Sequence, residues 1–264
     1  MLRLEAGRRA NGMKPLLLHI PHSSTEIPAR WRKGITLDDD ALARELLLMT
    51  DRHTEQLFDV DRAARIVFPV SRLVIDPERF ADDSLEPMAE RGMGVIYTKT
   101  AHGGVLRDLP DAPSRAALLN EYYHPHHAKL LALAAQSIET YGSCLIVDCH
   151  SFPSRSLPYE RQPHDAPRPE ICIGTDSFHT PKELSEELAQ FFSLQGYSVA
   201  LNAPFAGAVT PMKLYLTETR LRSIMIEVRR DLYMDEETGT MLPAFDRIKR
   251  HIAEAIERAW VIKE

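Results

Sequence analysis

Three short stretches end an apolar run in ionisable side chains. LLLHIPHSS carries His19 and His22, CLIVDCHS carries Asp148 and His150, and SIMIEVRRD carries Glu227 followed by Arg229, Arg230 and Asp231. Burying a charge is costly unless it is paired or bound to a metal, so groups of this kind at strand ends need partners. Histidines on two separate strands suit zinc, which takes imidazole nitrogen and keeps an open position in catalytic sites. A third ligand is then required. The helical pattern TLDDDALARELLLMTDRHTEQLF, beginning at Thr36, offers Asp51. Its neighbours Leu47, Leu48 and Phe58, at minus four, minus three and plus seven, form an apolar face, so Asp51 is expected to point inward. Two histidines and a carboxylate make a catalytic zinc set. Glu227 remains as a carboxylate able to take a proton from water.

Other residues near these stretches have two readings each. His19 either orients a ligand from behind or is a core histidine. Asp148 either accepts the outer N–H of a ligand histidine or caps a loop. Cys149 reads as a small buried filler. YYHPHHAKL gathers His124, His126 and His127 and looks like a metal cluster, but at an apparent helix start it reads as a solvated or packing feature.

The elements that must hold these groups alternate between strand and helix. Buried-strand runs are expected at Leu16–Ile20, Arg65–Val70, Cys144–Val147, Ile171–Ile173, Ser198–Leu201 and Ile224–Val228. One helix starts at Thr36, with Asp39 placed for a capping box. A second follows Thr180, with Pro181 at its first position and Gly196 as its stop. A third covers the stretch from Leu242 to Trp260. The pattern predicts an α/β fold: a single-domain three-layer sandwich with a mostly parallel or mixed central sheet and helices on both faces. Ligands of such sheets bind beyond the carboxyl ends of the strands, where the ionisable residues fall.

Composition narrows the function classes. The chain has 264 residues, 44% hydrophobic, with a formal net charge of −6 and no long basic run, so a nucleic-acid surface is not expected. Its apolar stretches are too short to span a membrane. The first residues, MLRLEAGRRANGMK, lack the apolar core of a signal peptide. Three irregularly spaced cysteines argue for a reducing compartment and a cytoplasmic protein. Residues 1–13 read as a disordered extension, residues 14–264 as one catalytic domain, and the proline-rich, charged segment Ser154–Pro169 as a surface loop within it. No phosphate-binding or dinucleotide glycine pattern and no nucleophile-elbow serine motif is present.

Taken together, HIPHSS, TDRHTEQLF, SRLVIDPERF, RGMGVIYT, DCHSFPS, NAPFAGA and IEVRRDLYMDE resemble the successive motifs of the N-formylglutamate amidohydrolase family, in order from about Leu16 to Glu236. The resemblance implies a zinc-dependent amide hydrolase with a fold similar to zinc carboxypeptidases and bacterial cell-wall amidases. It places His22 and His150 as zinc ligands and Glu227 as the catalytic glutamate. Asp51 matches the acidic ligand, with Glu26 of HSSTE as the next choice. The implied reaction converts N-formyl-L-glutamate and water to L-glutamate and formate, a step of histidine degradation. Arg72 and Arg229 are then the expected partners of the substrate carboxylates, because arginine forks match carboxylates in two-point contact. Asn202 and Ser151 are the expected polar supports. The stretch VTPMKLYLTETRLRS and the sequence EVRRD depart from the family pattern. They keep open a zinc hydrolase of another N-acyl amino acid, a peptide or a muropeptide, and a non-catalytic carboxylate-binding protein of the same fold.

Overall fold

The computed structural model describes residues 14–160 and 167–261. The expected extension over residues 1–13 lies outside them, as do residues 161–166 of the expected surface loop. Six strands form one sheet: β1 (Leu16–Ile20), β2 (Ala64–Val67), β3 (Cys144–Phe152), β4 (Ile171–Thr175), β5 (Val199–Leu201) and β6 (Leu221–Arg229). Their spatial order is β2-β1-β3-β6-β4-β5. All neighbouring pairs are parallel except β4 with β6, so the sheet is mixed.

The alternation of side chains along the strands sorts the residues into two layers. Leu16, Leu18, Leu145, Val147, Ile224 and Ile226 face a core shared with helices α3 (Thr54–Leu57), α6 (Lys182–Leu194) and α7 (Phe245–Val261). On the other face, Leu17, Cys144, Ile146 and Leu221 pack against Leu130, Ala134 and Ile138 of α5 (His124–Tyr141). This second face changes character along its length. It is apolar at the amino ends of the strands and ionisable at the carboxyl ends, where His19, Asp148, His150 and Glu227 follow the same alternation. The expected three-layer α/β architecture is therefore present, and the carboxyl-end polarity marks where chemistry is placed.

Two expected elements change. The helix expected from Thr36 through Phe58 is two helices, α2 (Asp39–Met49) and α3 (Thr54–Leu57). Asp38 caps α2, its carboxylate accepting from the Ala41 N–H at 2.7 Å. The break falls at Thr50 (ψ 134°) and at His53, whose φ of 66° is left-handed. Asp51 is thus buried from a turn rather than from a helix face. Pro181 precedes α6 as its cap instead of opening it, with ψ at 140°. The YYHPHH segment, read as a helix start, lies inside a longer run. Helix α4 (Ala112–Leu118) passes through one wide turn at Leu119–Tyr123 directly into α5.

A close approach fixes one glycine. A Cβ on Gly174 of β4 would sit 2.2 Å from the Gly207 carbonyl oxygen and 2.4 Å from Met225 Cε. The loop through Phe205 and Val209 lies against the sheet there, held by Ser223 Oγ donating to the Val209 carbonyl at 2.6 Å. Gly174→Ala should cost roughly 1–3 kcal/mol by overpacking. A urea midpoint unchanged from wild type would count against this packing.

Candidate metal and catalytic centre

β1 runs straight into the turn that bears His22, and the Asp51 N–H donates to the His22 carbonyl at 3.0 Å. The α2–α3 break is therefore tied to the end of β1. From the other side, the Ser151 N–H of β3 donates to Asp51 Oδ2 at 3.2 Å. Asp51 is pinned by the backbone of both histidine-bearing segments.

The two imidazoles converge, with ring centroids 5.2 Å apart. His22 Nε2 meets Asp76 Oδ1 at 2.8 Å, while its Nδ1 is buried with no hydrogen-bond partner among the described residues. Burial and the Arg72 charge lower the pKa of His22, so the ring is neutral, and donation from Nε2 leaves Nδ1 as a bare lone pair. His150 Nδ1 lies 3.1 Å from Asp51 Oδ2, and its Nε2 lies 3.1 Å from Asp148 Oδ1 and 3.2 Å from Glu78. Burial opposes charging His150, but Glu78, Asp148 and Asp51 outweigh it and raise its pKa well above the usual range. A ring ringed by three carboxylates is an environment made for positive charge.

Asp51 Oδ2 is also 3.8 Å from His22 Nδ1. Its other oxygen accepts from Arg230 Nη2 at 2.8 Å. Burial opposes ionisation here, yet the His150 hydrogen bond and the charges of Arg230 and His22 hold Asp51 well below the usual carboxylate range. Arg230 is in turn saturated: Nη1 donates to the Leu48 carbonyl at 2.5 Å and Nε to Ser151 Oγ at 3.2 Å. It braces the end of α2 against β3.

Glu227 is the register partner of His150, one strand over on the same face. It is buried, and its Oε2 has no hydrogen-bond partner among the described residues. Burial pushes its carboxyl up to about 8 against the pull of the His150 charge.

The remaining expected residues separate. Arg72 is half-buried beside the centre but committed, donating to Asp76 Oδ2 at 2.9 Å and to the Tyr97 hydroxyl at 3.1 Å. Ser151 serves Asp51 and Arg230, as above. His19 Nδ1 meets Asp148 Oδ1 at 2.8 Å, and Asp148 Oδ2 accepts from the Val209 N–H at 3.1 Å, so both act behind His150. Arg229 donates to Asp231 at 2.7 Å and to the Arg168 carbonyl at 2.9 Å. Asn202 spends both ends of its amide on Thr175, at 2.9 and 2.8 Å. Glu26 is exposed, so it is not brought to the histidines.

Asp76 and Glu78 join the centre without having been singled out, and Arg230 and His126 join it from a charged run and a histidine cluster. Asp76 holds His22, and Glu78 lies 3.7 Å from His22 Nδ1. His22, Glu78 and His150 present ligand atoms within 4.8 Å of one another. Arg230 was read only as one of a charged run. His126, from the histidine cluster of α5, is buried with Nε2 2.8 Å from His19 Nε2, and burial and His19 push it down to about 2. One signal was available: the apolar run Leu73–Val74–Ile75 leads into Asp76 and Glu78 just as Leu145–Ile146–Val147 leads into Asp148 and His150.

With this geometry in view, the comparisons are specific. The family model described as N-formylglutamate amidohydrolase matches residues 14–234. The chain belongs to that family, and with it to the hydrolases of amides. It is 27% identical over 237 residues to the N-formylglutamate deformylase of Pseudomonas aeruginosa PAO1, covering 86% of this chain and 84% of that protein. It is 26% identical over 236 residues to the N-formylglutamate deformylase of Pseudomonas putida, covering 85% and 84%. The crystal structure of an N-formylglutamate amidohydrolase from Ralstonia eutropha JMP134 superposes with a TM-score of 0.79 at 24% identity, covering 95% of this chain and 94% of that one. Among the described residues, no helix is long and apolar enough to cross a membrane.

Proposed function

We propose that this family member is a metal-dependent hydrolase of a small N-acyl amino acid, with N-formyl-L-glutamate as substrate and formate and L-glutamate as products. The observation that carries the reading is the pairing of a convergent histidine couple with a buried, unpartnered glutamate directly across the strand register. The names of the Pseudomonas relatives support the substrate.

The residues fit a divalent metal. His22 Nδ1 is buried with no hydrogen-bond partner among the described residues. His22, His150 and Asp51 would hold the ion, a nitrogen and oxygen set suited to zinc and also open to other divalent metals. Asp51 Oδ2 lies 3.1 Å from His150 Nδ1 and 3.8 Å from His22 Nδ1. Asp76 and Asp148 then occupy the outer nitrogens, fixing tautomer and ring orientation. Such a metal supplies Lewis acidity, polarising the amide carbonyl and making water acidic near neutral pH. Glu227 accepts the proton of the attacking water and passes it to the departing amine. A cation beside Glu227 lowers its pKa, giving the ionised form that a base requires.

A second reading of the acidic ligand rests on Glu78, which also reaches both histidines. Asp51 is preferred because two backbone contacts and Arg230 fix it, whereas Glu78 is 19% exposed at its side chain. The test of function is formate release from N-formyl-L-glutamate by zinc-supplemented protein. Rapid release is expected. A protein that binds stoichiometric metal and releases no formate would move the substrate to another N-acyl compound.

A further inference from the structure

Substrate carboxylates need cations, and the arginines nearest the histidines are already committed. Arg72 and Arg79 lie against Asp76, and Arg230 is bonded to Asp51. Arg168 differs. Its Nη1 donates to Glu160 Oε2 at 2.6 Å, which anchors one corner of the guanidinium. Its guanidinium carbon lies 4.9 Å from the Phe152 ring centroid and 5.5 Å from that of Phe205, against a T-shaped ring pair whose centroids are 5.7 Å apart. Nε and Nη2 are buried and have no hydrogen-bond partner among the described residues. These two nitrogens form one edge of the guanidinium, with parallel N–H vectors matched to the two oxygens of a carboxylate. Five other described arginines leave one buried nitrogen without a hydrogen bond; Arg168 leaves a complete edge.

The position is close to the catalytic glutamate. Phe152 ends β3 two residues beyond His150, on the same face. Cys172 of β4 is the register partner of Glu227, and its sulfur donates to the Phe205 carbonyl at 3.3 Å. The charges of Glu227 and Arg168 both act on that thiol. The guanidinium side chain is only 5% exposed, and leaving two of its donors unmet is costly unless a ligand meets them.

We propose that the Nε–Nη2 edge of Arg168, held by Glu160 and set against the Phe152–Phe205 ring pair, binds a carboxylate of the substrate. This rests on the amino-acid substrate class proposed above. The test is calorimetric titration of zinc-loaded wild type and Arg168→Gln with L-glutamate, with L-glutamine, which lacks the side-chain carboxylate, and with 4-aminobutyrate, which lacks the α-carboxylate. The variant should bind glutamate about 30-fold more weakly, the scale of a charged hydrogen-bonded contact. It should lose the same factor toward the one analogue that keeps the bound carboxylate and stay within about twofold for the other. Arg168→Lys, which keeps charge and stem but lacks the edge, should give the same pattern and replaces the glutamine variant if that does not fold. Equal losses for all three ligands, no loss, or a wild type that binds none of them would overturn the proposal. Formate release by the wild type is scored separately, so failure of the substrate reading and failure of the Arg168 assignment are distinguishable.

Discussion

Glu227→Gln is expected to lower kcat for amide hydrolysis by about 10²–10⁴-fold, the usual contribution of a positioned general base. Metal content should stay at the wild-type level, because Glu227 lies across the register from His150 and outside the proposed ligand set. The substitution keeps volume and burial and removes only the ability to take a proton. KM should move little, since the loss falls on the transition state. The variant should also fold at least as well as the wild type in the absence of metal. Wild-type folding buries a carboxyl whose pKa is pushed up to about 8, so at pH 7 the native state binds a proton that the unfolded chain does not hold. The sign follows: a raised pKa contributes its full share only below the unfolded value near 4.5 and loses it as pH rises through about 8. The variant's apo stability should therefore fall less with rising pH than the wild type's. Near-normal turnover in the metal-loaded variant would remove Glu227 from the mechanism.

Asp51→Ala carries the second large effect, and it has two parts. Metal content should collapse, and the metal-free protein should lose about 3–5 kcal/mol, the cost of stripping one partner from a buried ion pair. The charge left behind is that of Arg230, which is 4% exposed and otherwise bonded only to neutral oxygens of Leu48 and Ser151. Measuring urea unfolding after chelation separates this loss from the stabilisation that bound metal adds. Glu78→Gln is the companion variant. It should keep most of the metal and most of the stability, because Glu78 is partly exposed and has no arginine within ion-pair distance among the described residues. If Asp51→Ala held stoichiometric metal and Glu78→Gln lost it, Glu78 would be the acidic ligand.

Much of the fold was legible because buried parallel strands must be apolar over several residues and helices must repeat near 3.6. All six expected strand runs overlap observed strands, and Leu16–Ile20 coincides with β1. The couple His22 and His150, and Glu227 beyond it, could be proposed because each follows a buried run, where an ionisable group is too costly to be incidental. Local patterning could not place residues whose role depends on what crosses over them. The helix expected through Asp51 breaks at Thr50, because Asp51 N–H is spent on the His22 carbonyl instead of continuing the helix, a contact spanning the sheet edge. Arginine choice failed to be local for the same reason. Arg229 is adjacent to Glu227's strand end yet bonds to Asp231, whereas Arg168, in a stretch read only as loop, lies against a ring pair from β3 and the Phe205 loop.

The sequence by itself determined the layers and the strand ends that carry ionisable groups of types able to hold a metal, since these follow from periodicity and from the cost of burying ions. Only the tertiary structure decided which carboxylates meet which imidazole nitrogens and which arginine edge is left without a partner. Those outcomes depend on segments far apart in the chain, such as Asp51, Asp76, Asp148 and Arg230, arriving within about 3 Å of a shared group.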